Sequence, residues 1–110
     1  MLTLIHDYKW NVTITAEDEE DGPEEYAEDI GEDFAGSIEG MISRYGTWGW
    51  CVITVSVEYM GLTESSSLGQ CSYENAHDFI DSEDYYEDMR DECIRELRKQ
   101  INEIVKGGLL

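Results

Sequence analysis

Between Glu17 and Asp33, 11 of the 17 residues are Asp or Glu, and none is Lys or Arg. A packed interior cannot hold such a run, because an ionised carboxylate leaves water only when it is paired. The run must lie on a surface or in an unstructured segment, and any fold has to be built around it. It can be read as a disordered acidic stretch, as a cation site, or as a surface shaped to resemble something else that is densely negative.

Disorder is the first reading to test. The 110 residues carry 26 acidic and 7 basic side chains, a formal net charge of -19, and self-repulsion strains any compact state. Against this, Leu, Ile, Val and Phe number 24, about 22 % of the chain and just above the range of disordered sequences. Three Trp and seven Tyr add large buriable area. The expectation is a folded single domain over residues 1–110 with one modest core.

The charge is uneven. Residues 1–88 hold 22 acidic and 2 basic side chains, Lys9 and Arg44, whereas residues 89–110 hold 4 acidic and 5 basic. Cys51, Cys71 and Cys93 are odd in number and unevenly spaced, which reads as free buried thiols rather than a disulfide framework. No apolar run is long enough to span a membrane, and the N-terminus lacks a signal-peptide pattern. A soluble, cytoplasmic protein is expected, one that avoids nucleic acid and anionic membranes because both repel it.

Leu2, Leu4, His6, Tyr8, Trp10, Val12 and Ile14 alternate with mostly polar residues, which predicts one β-strand with a single large-residue face. His6, on that face, reads as a packed or half-exposed residue rather than a ligand. Asp21, Gly22 and Pro23 break the strand and can open a helix. Tyr26, Ile30, Phe34, Ile38 and Ile42 then recur every fourth residue, predicting an amphipathic helix over 23–44, with a kink near Gly36. Cys51, Ile53, Val55, Val57 and Tyr59 make the apolar face of a second strand. A turn over 61–64 and a third strand over 66–73 complete a hairpin. A short helix is expected around 75–80. Tyr86, Met89, Cys93, Leu97, Ile101 and Ile104 predict a final helix over 84–106, stopped by Gly107 and Gly108.

The order β-α-β-β-α predicts an α+β two-layer domain, with an antiparallel sheet of about three strands and helices on one face. Trp48 and Trp50 fall on the other side of the second strand. They fit either a small second core under a loop or an exposed partner patch.

Recognised chemistry is sparse. Glu17, Glu19, Asp21, Gly22 and Glu28 match positions of a calcium loop, but Glu24 occupies a position that should be apolar and a strand precedes the run where a helix is needed. With only His6 and His77, and no zinc spacing, nucleophile motif or phosphate-cradling loop, neither a catalytic site nor a metal or other cofactor is expected.

The acidic run has a regular geometry. Glu24 and Glu25, Glu28 and Asp29, and Glu32 and Asp33 form doublets repeating every four residues. A helix rises about 6 Å over four residues, so the doublets give about one charge per 3 Å. A DNA strand carries about one per 3.4 Å. Asp78, Asp81, Glu83, Asp84, Glu87 and Asp88 form a second cluster. A solvated face serving solubility is the plainer reading. Charge held on an ordered helix, however, suits a surface aimed at a basic groove that normally takes nucleic acid.

The stretches WGWC at 48–51, LGQCSY at 68–73, DF at 78–79 and YYEDM at 85–89 resemble small acidic proteins carried by bacteriophages and mobile elements. Within that setting the chain is similar to anti-CRISPR proteins and other DNA mimics. The resemblance implies a phage-encoded inhibitor in the cytoplasm of an infected bacterial host, monomeric or homodimeric, without catalysis. Its partner would be the basic DNA- or PAM-binding surface of a CRISPR surveillance complex. The acidic doublets and second cluster would face that surface, and Trp48, Trp50 or the Tyr85–Tyr86 pair would supply apolar contacts. A phage accessory binding protein whose acidity only keeps it soluble, an inhibitor of another DNA-binding protein, and a divalent-cation binder are the alternatives.

Overall fold

The computed structural model describes residues 2–7, 9–23 and 31–107, with side chains for 9–23, 31 and 33–107. It is an α+β domain. Strands β1 (Leu2–Asp7), β2 (Trp10–Asp18), β3 (Cys51–Tyr59) and β4 (Leu62–Cys71) form one antiparallel sheet in the order β1-β2-β3-β4. Between β2 and β3 lie helix α1 (Glu32–Tyr45) and a 3-10 turn over Gly46–Gly49. After β4 come a short α2 (Ala76–Asp81) and the long α3 (Tyr86–Lys106).

The sheet has one strand more than the alternation predicted. Asp7 pairs with Trp10, so the expected single strand is a hairpin that reverses between these two residues. Two residues between the paired ends put positions i and i+3 on one face, so an alternation that runs on unbroken in sequence changes face there and hides the turn. Leu4 stands opposite Thr13 and Ile5 opposite Val12, so Leu2, Leu4 and His6 do not share register positions with Trp10, Val12 and Ile14. The second hairpin turns at Met60 and Gly61, earlier than the expected 61–64. Both have positive φ, 54° and 82°, as a tight turn matched to strand twist requires.

The core lies on one face of the sheet. Trp10, Val12, Ile14 and Ala16 of β2 and Cys51, Ile53, Val55 and Val57 of β3 are buried there in strict alternation. Phe79 of α2 and Tyr86, Met89, Cys93 and Leu97 of α3 close over them. Phe79 meets Tyr73 and Tyr86 edge-on, with ring centroids 5.1 and 6.2 Å apart. The Asn75 side chain caps α2 by accepting a hydrogen bond from the Asp78 amide at 2.9 Å. On the opposite sheet face hydroxyls pair across the strands, Thr54 with Ser67 at 2.8 Å and Ser56 with Ser65 at 2.7 Å.

Helix α1 departs from its predicted face. Ala35 and Ile38 are buried, while Phe34 is 55 % and Ile42 37 % exposed. A spacing of four drifts by about 40° per step at 3.6 residues per turn, so a chain of such steps cannot stay on one face. In α3 the three-residue step from Tyr86 to Met89 corrects the drift. The helix also runs unbroken through Gly36. The positive φ lies at its start, at Gly31, and at its end, at Gly46. The rest of the predicted 23–44 helix, residues 24–30, lies outside the described residues.

Candidate functional site

Pairing across the sheet decides where the acidic residues meet. Asp18 at the end of β2 stands beside Cys51 at the start of β3, which stands beside Cys71 at the end of β4. The run beginning at Glu17 therefore leaves the sheet at the same end from which β4 leads into α2. The register slips by one residue between β3 and β4 near Gly69 and Gln70, a bulge at which Gln70 takes a φ of 54°. The freed Gln70 amide donates to the Glu19 carboxylate at 2.7 Å. One carboxylate of the acidic run is thereby tied to the end of a strand 51 residues away.

Further bonds fix the same end. The Trp50 indole N–H donates to the Asp21 carbonyl at 2.8 Å, and the Tyr73 amide to the Trp48 carbonyl, also at 2.8 Å. The Tyr73 hydroxyl lies 3.4 Å from the Asp84 carboxylate, and the Tyr45 hydroxyl donates to Glu74 at 3.1 Å. Burial pushes the Tyr73 phenol up to about 12, so it stays a donor at neutral pH. Glu87 and Asp88 occupy the first turn of α3, where the helix dipole favours negative charge.

Of the expected site residues, Asp33, Asp81, Glu83, Asp84, Glu87 and Asp88 are exposed. Among the described residues none of these carboxylates is paired with Lys or Arg; the ion pairs there join Arg90 to Asp91 and Lys99 to Glu96. Glu24, Glu25, Glu28 and Asp29 lie outside the described residues, as does the side chain of Glu32. Trp48 and Trp50 are 3 % and 6 % exposed. They are buried and form no partner patch: Trp48 joins the core cluster, and the Trp50 indole is held by its bond to the Asp21 carbonyl. Of the tyrosine pair, Tyr86 is in the core and Tyr85 is 49 % exposed. Glu19 and Glu74 escaped sequence reasoning as organising residues. The only local signal was Gly69, a glycine inside a strand.

Arg44 closes α1 and Arg90 stands near the start of α3, whereas two other cations lie at the far end of the sheet. Lys9 lies 5.0 Å from the Trp10 ring centroid and 5.2 Å from that of Tyr59, and Arg98 lies 5.9 Å from Trp10. Trp10 and Tyr59 are at the hairpin-turn end of β2 and β3, opposite the acidic end. Among the described residues no group of three or more His, Cys, Asp or Glu side chains is placed to hold a metal ion. None of their helices is long and apolar enough to cross a membrane.

Comparison with protein-family models, with curated proteins and with solved structures finds no match.

Proposed function

We propose that this protein is a non-catalytic, DNA-mimicking inhibitor that presents its acidic end to a basic groove. The observation carrying this reading is the convergence of two acidic stretches, distant in sequence, at one end of the sheet, where the Glu19–Gln70 bond ties the first of them to the end of β4. Fixed carboxylates can offer a Lys/Arg-lined groove what a phosphate backbone offers, and charge complementarity of this kind speeds association and selects the partner. The sequence resemblance to anti-CRISPR proteins directs the proposal to the DNA- or PAM-binding surface of a CRISPR surveillance complex in the host cytoplasm. Inhibition is by occupancy, with no turnover.

The test is competition. A purified surveillance complex is incubated with the protein, and its affinity for target DNA is measured by fluorescence anisotropy across a salt series. The expected result is loss of DNA binding, with the inhibitor's own affinity falling steeply as salt rises. DNA affinity unchanged by saturating protein would reduce the acidic end to a solvated surface.

A further inference from the structure

A cleft opens within the acidic end, between α1 and the loop joining α2 to α3. Phe34 and Tyr85 stand on its walls, Ile38, Trp50 and Tyr73 lie deeper, and Asp84 brings a carboxylate. Phe34 and Tyr85 are 55 % and 49 % exposed, whereas Trp50 is buried. The cleft measures about 260 Å³. That is below the range of about 300–1,000 Å³ typical of small-molecule sites and suits one long side chain.

We propose that this cleft receives an arginine side chain of a protein partner. The rings of Phe34 and Tyr85 line it, and an aromatic ring carries a negative face that attracts a cation and repels an anion. A planar guanidinium can lie against such a ring while its N–H groups reach a carboxylate, whereas a lysine ammonium offers only a compact charge. Asp84 is the carboxylate that lines the cleft, with the Tyr73 hydroxyl 3.4 Å from it. Glu19, bonded to Gln70 on the cleft wall, adds a second negative charge close by. A neutral apolar chain would fill the same space but gain nothing from these charges. The cleft deepens the inhibitor reading by naming a contact at the acidic end, and it rests on that reading only for the partner's identity.

The probe is the blocked peptide acetyl-Gly-Gly-Arg-Gly-Gly-amide, titrated into the isotopically labelled full chain at physiological salt and followed by NMR. Matched peptides carry lysine, neutral citrulline or norleucine in place of arginine. Saturable shifts centred on the Trp50 indole and the amides of Gly69, Gln70, Tyr73 and Tyr85 are expected. The lysine peptide should bind more weakly, and citrulline and norleucine more weakly still. Phe34→Ala or Tyr85→Ala should each weaken the arginine peptide about fivefold, the scale of one cation–aromatic contact. Both residues are half-exposed, so melting curves should confirm an intact fold. Asp84→Asn should also weaken it. Equal binding of the norleucine peptide would overturn the proposal in favour of a general apolar groove. Shifts spread evenly over Asp33, Asp81, Glu87 and Asp88 would overturn it in favour of diffuse counter-ion binding. A specific cleft titration alongside undisturbed DNA binding by the surveillance complex would sustain the cleft and overturn the mimicry alone.

Discussion

Cys51 on β3 and Cys71 on β4 stand directly opposite each other, buried and unlinked. Each thiol instead donates to a carbonyl of its own neighbourhood, Cys51 to Trp48 at 3.8 Å and Cys71 to Leu68 at 3.3 Å. Burial, and then the facing Cys71, pushes the Cys51 thiol up to about 12. Burial lifts Cys71 and Cys93 to about 11. Neutral thiols are poor nucleophiles, so alkylation by iodoacetamide at pH 8 should be slow in the native protein and fast in urea. Intact mass should show three free thiols; a native disulfide would contradict the burial argument.

The same shifts set a pH dependence. The unfolded chain ionises its thiols near the ordinary value of 9.0, and the folded chain only near 11 to 12. Between these values the native state holds more protons than the unfolded state, so stability falls as pH rises. Urea midpoints should be steady up to about pH 8.5 and decline above it. A Cys51→Ala, Cys71→Ala variant should decline less steeply than the parent, which separates the thiols from tyrosine and lysine titration.

Glycines in and beside α1 should respond oppositely. A Cβ on Gly49 would come within 2.5 Å of the backbone of Met41 and Ile42, where the 3-10 turn presses on the helix. Gly49→Ala should destabilise by about 3 kcal/mol, the upper range for forced overpacking. Gly36 and Gly40 are helical, exposed and have nothing within 4 Å of an added Cβ. Alanine at either should stabilise by about 1 kcal/mol. Thermal melts of the three variants decide the matter, and equal effects would contradict the close approach at Gly49.

Asn75 caps α2 through the Asp78 amide, and Asp78 accepts in return from the Glu74 amide at 3.0 Å. Asn75→Ala should therefore lower stability by about 1 kcal/mol, while Asn75→Asp, which keeps the acceptor, should stay near the parent. Chemical denaturation reads both.

Self-repulsion at the acidic end should be measurable without any partner. Raising sodium chloride from about 10 mM to 500 mM should raise the Tm, because the Debye length shrinks from about 30 Å to a few Å. Asp81→Lys and Glu83→Lys should raise the Tm at low salt. Glu87→Lys should gain less, because it places a cation against the positive end of the α3 dipole. The first two reversals should weaken inhibition in the competition assay, whereas Glu103→Lys, near the other end of α3, should not. Loss of inhibition in the Glu103 variant alone would move the active surface away from the acidic end.

Elements carried by short-range pattern were legible in the sequence. Strand β3 alternates and α3 mixes steps of three and four, because each pattern reflects one strand or helix meeting one interior face. The α+β class follows from these elements. The acidic character of the surface was equally plain, since so many carboxylates have no interior to enter.

Tertiary structure decided the rest. Only pairing shows that the first alternating run turns back on itself between Asp7 and Trp10. Only packing shows that Trp48 and Trp50 face inward and Phe34 outward, because alternation and helical spacing do not say which face a neighbouring element will cover. The acidic end depends on strand register. Glu19 and Gln70 are 51 residues apart, and no local pattern relates them. A bulge of one residue in β4 turns the Gln70 amide toward Glu19, and the hydrogen bond they form exists only because the whole sheet holds the ends of β2 and β4 on either side of β3.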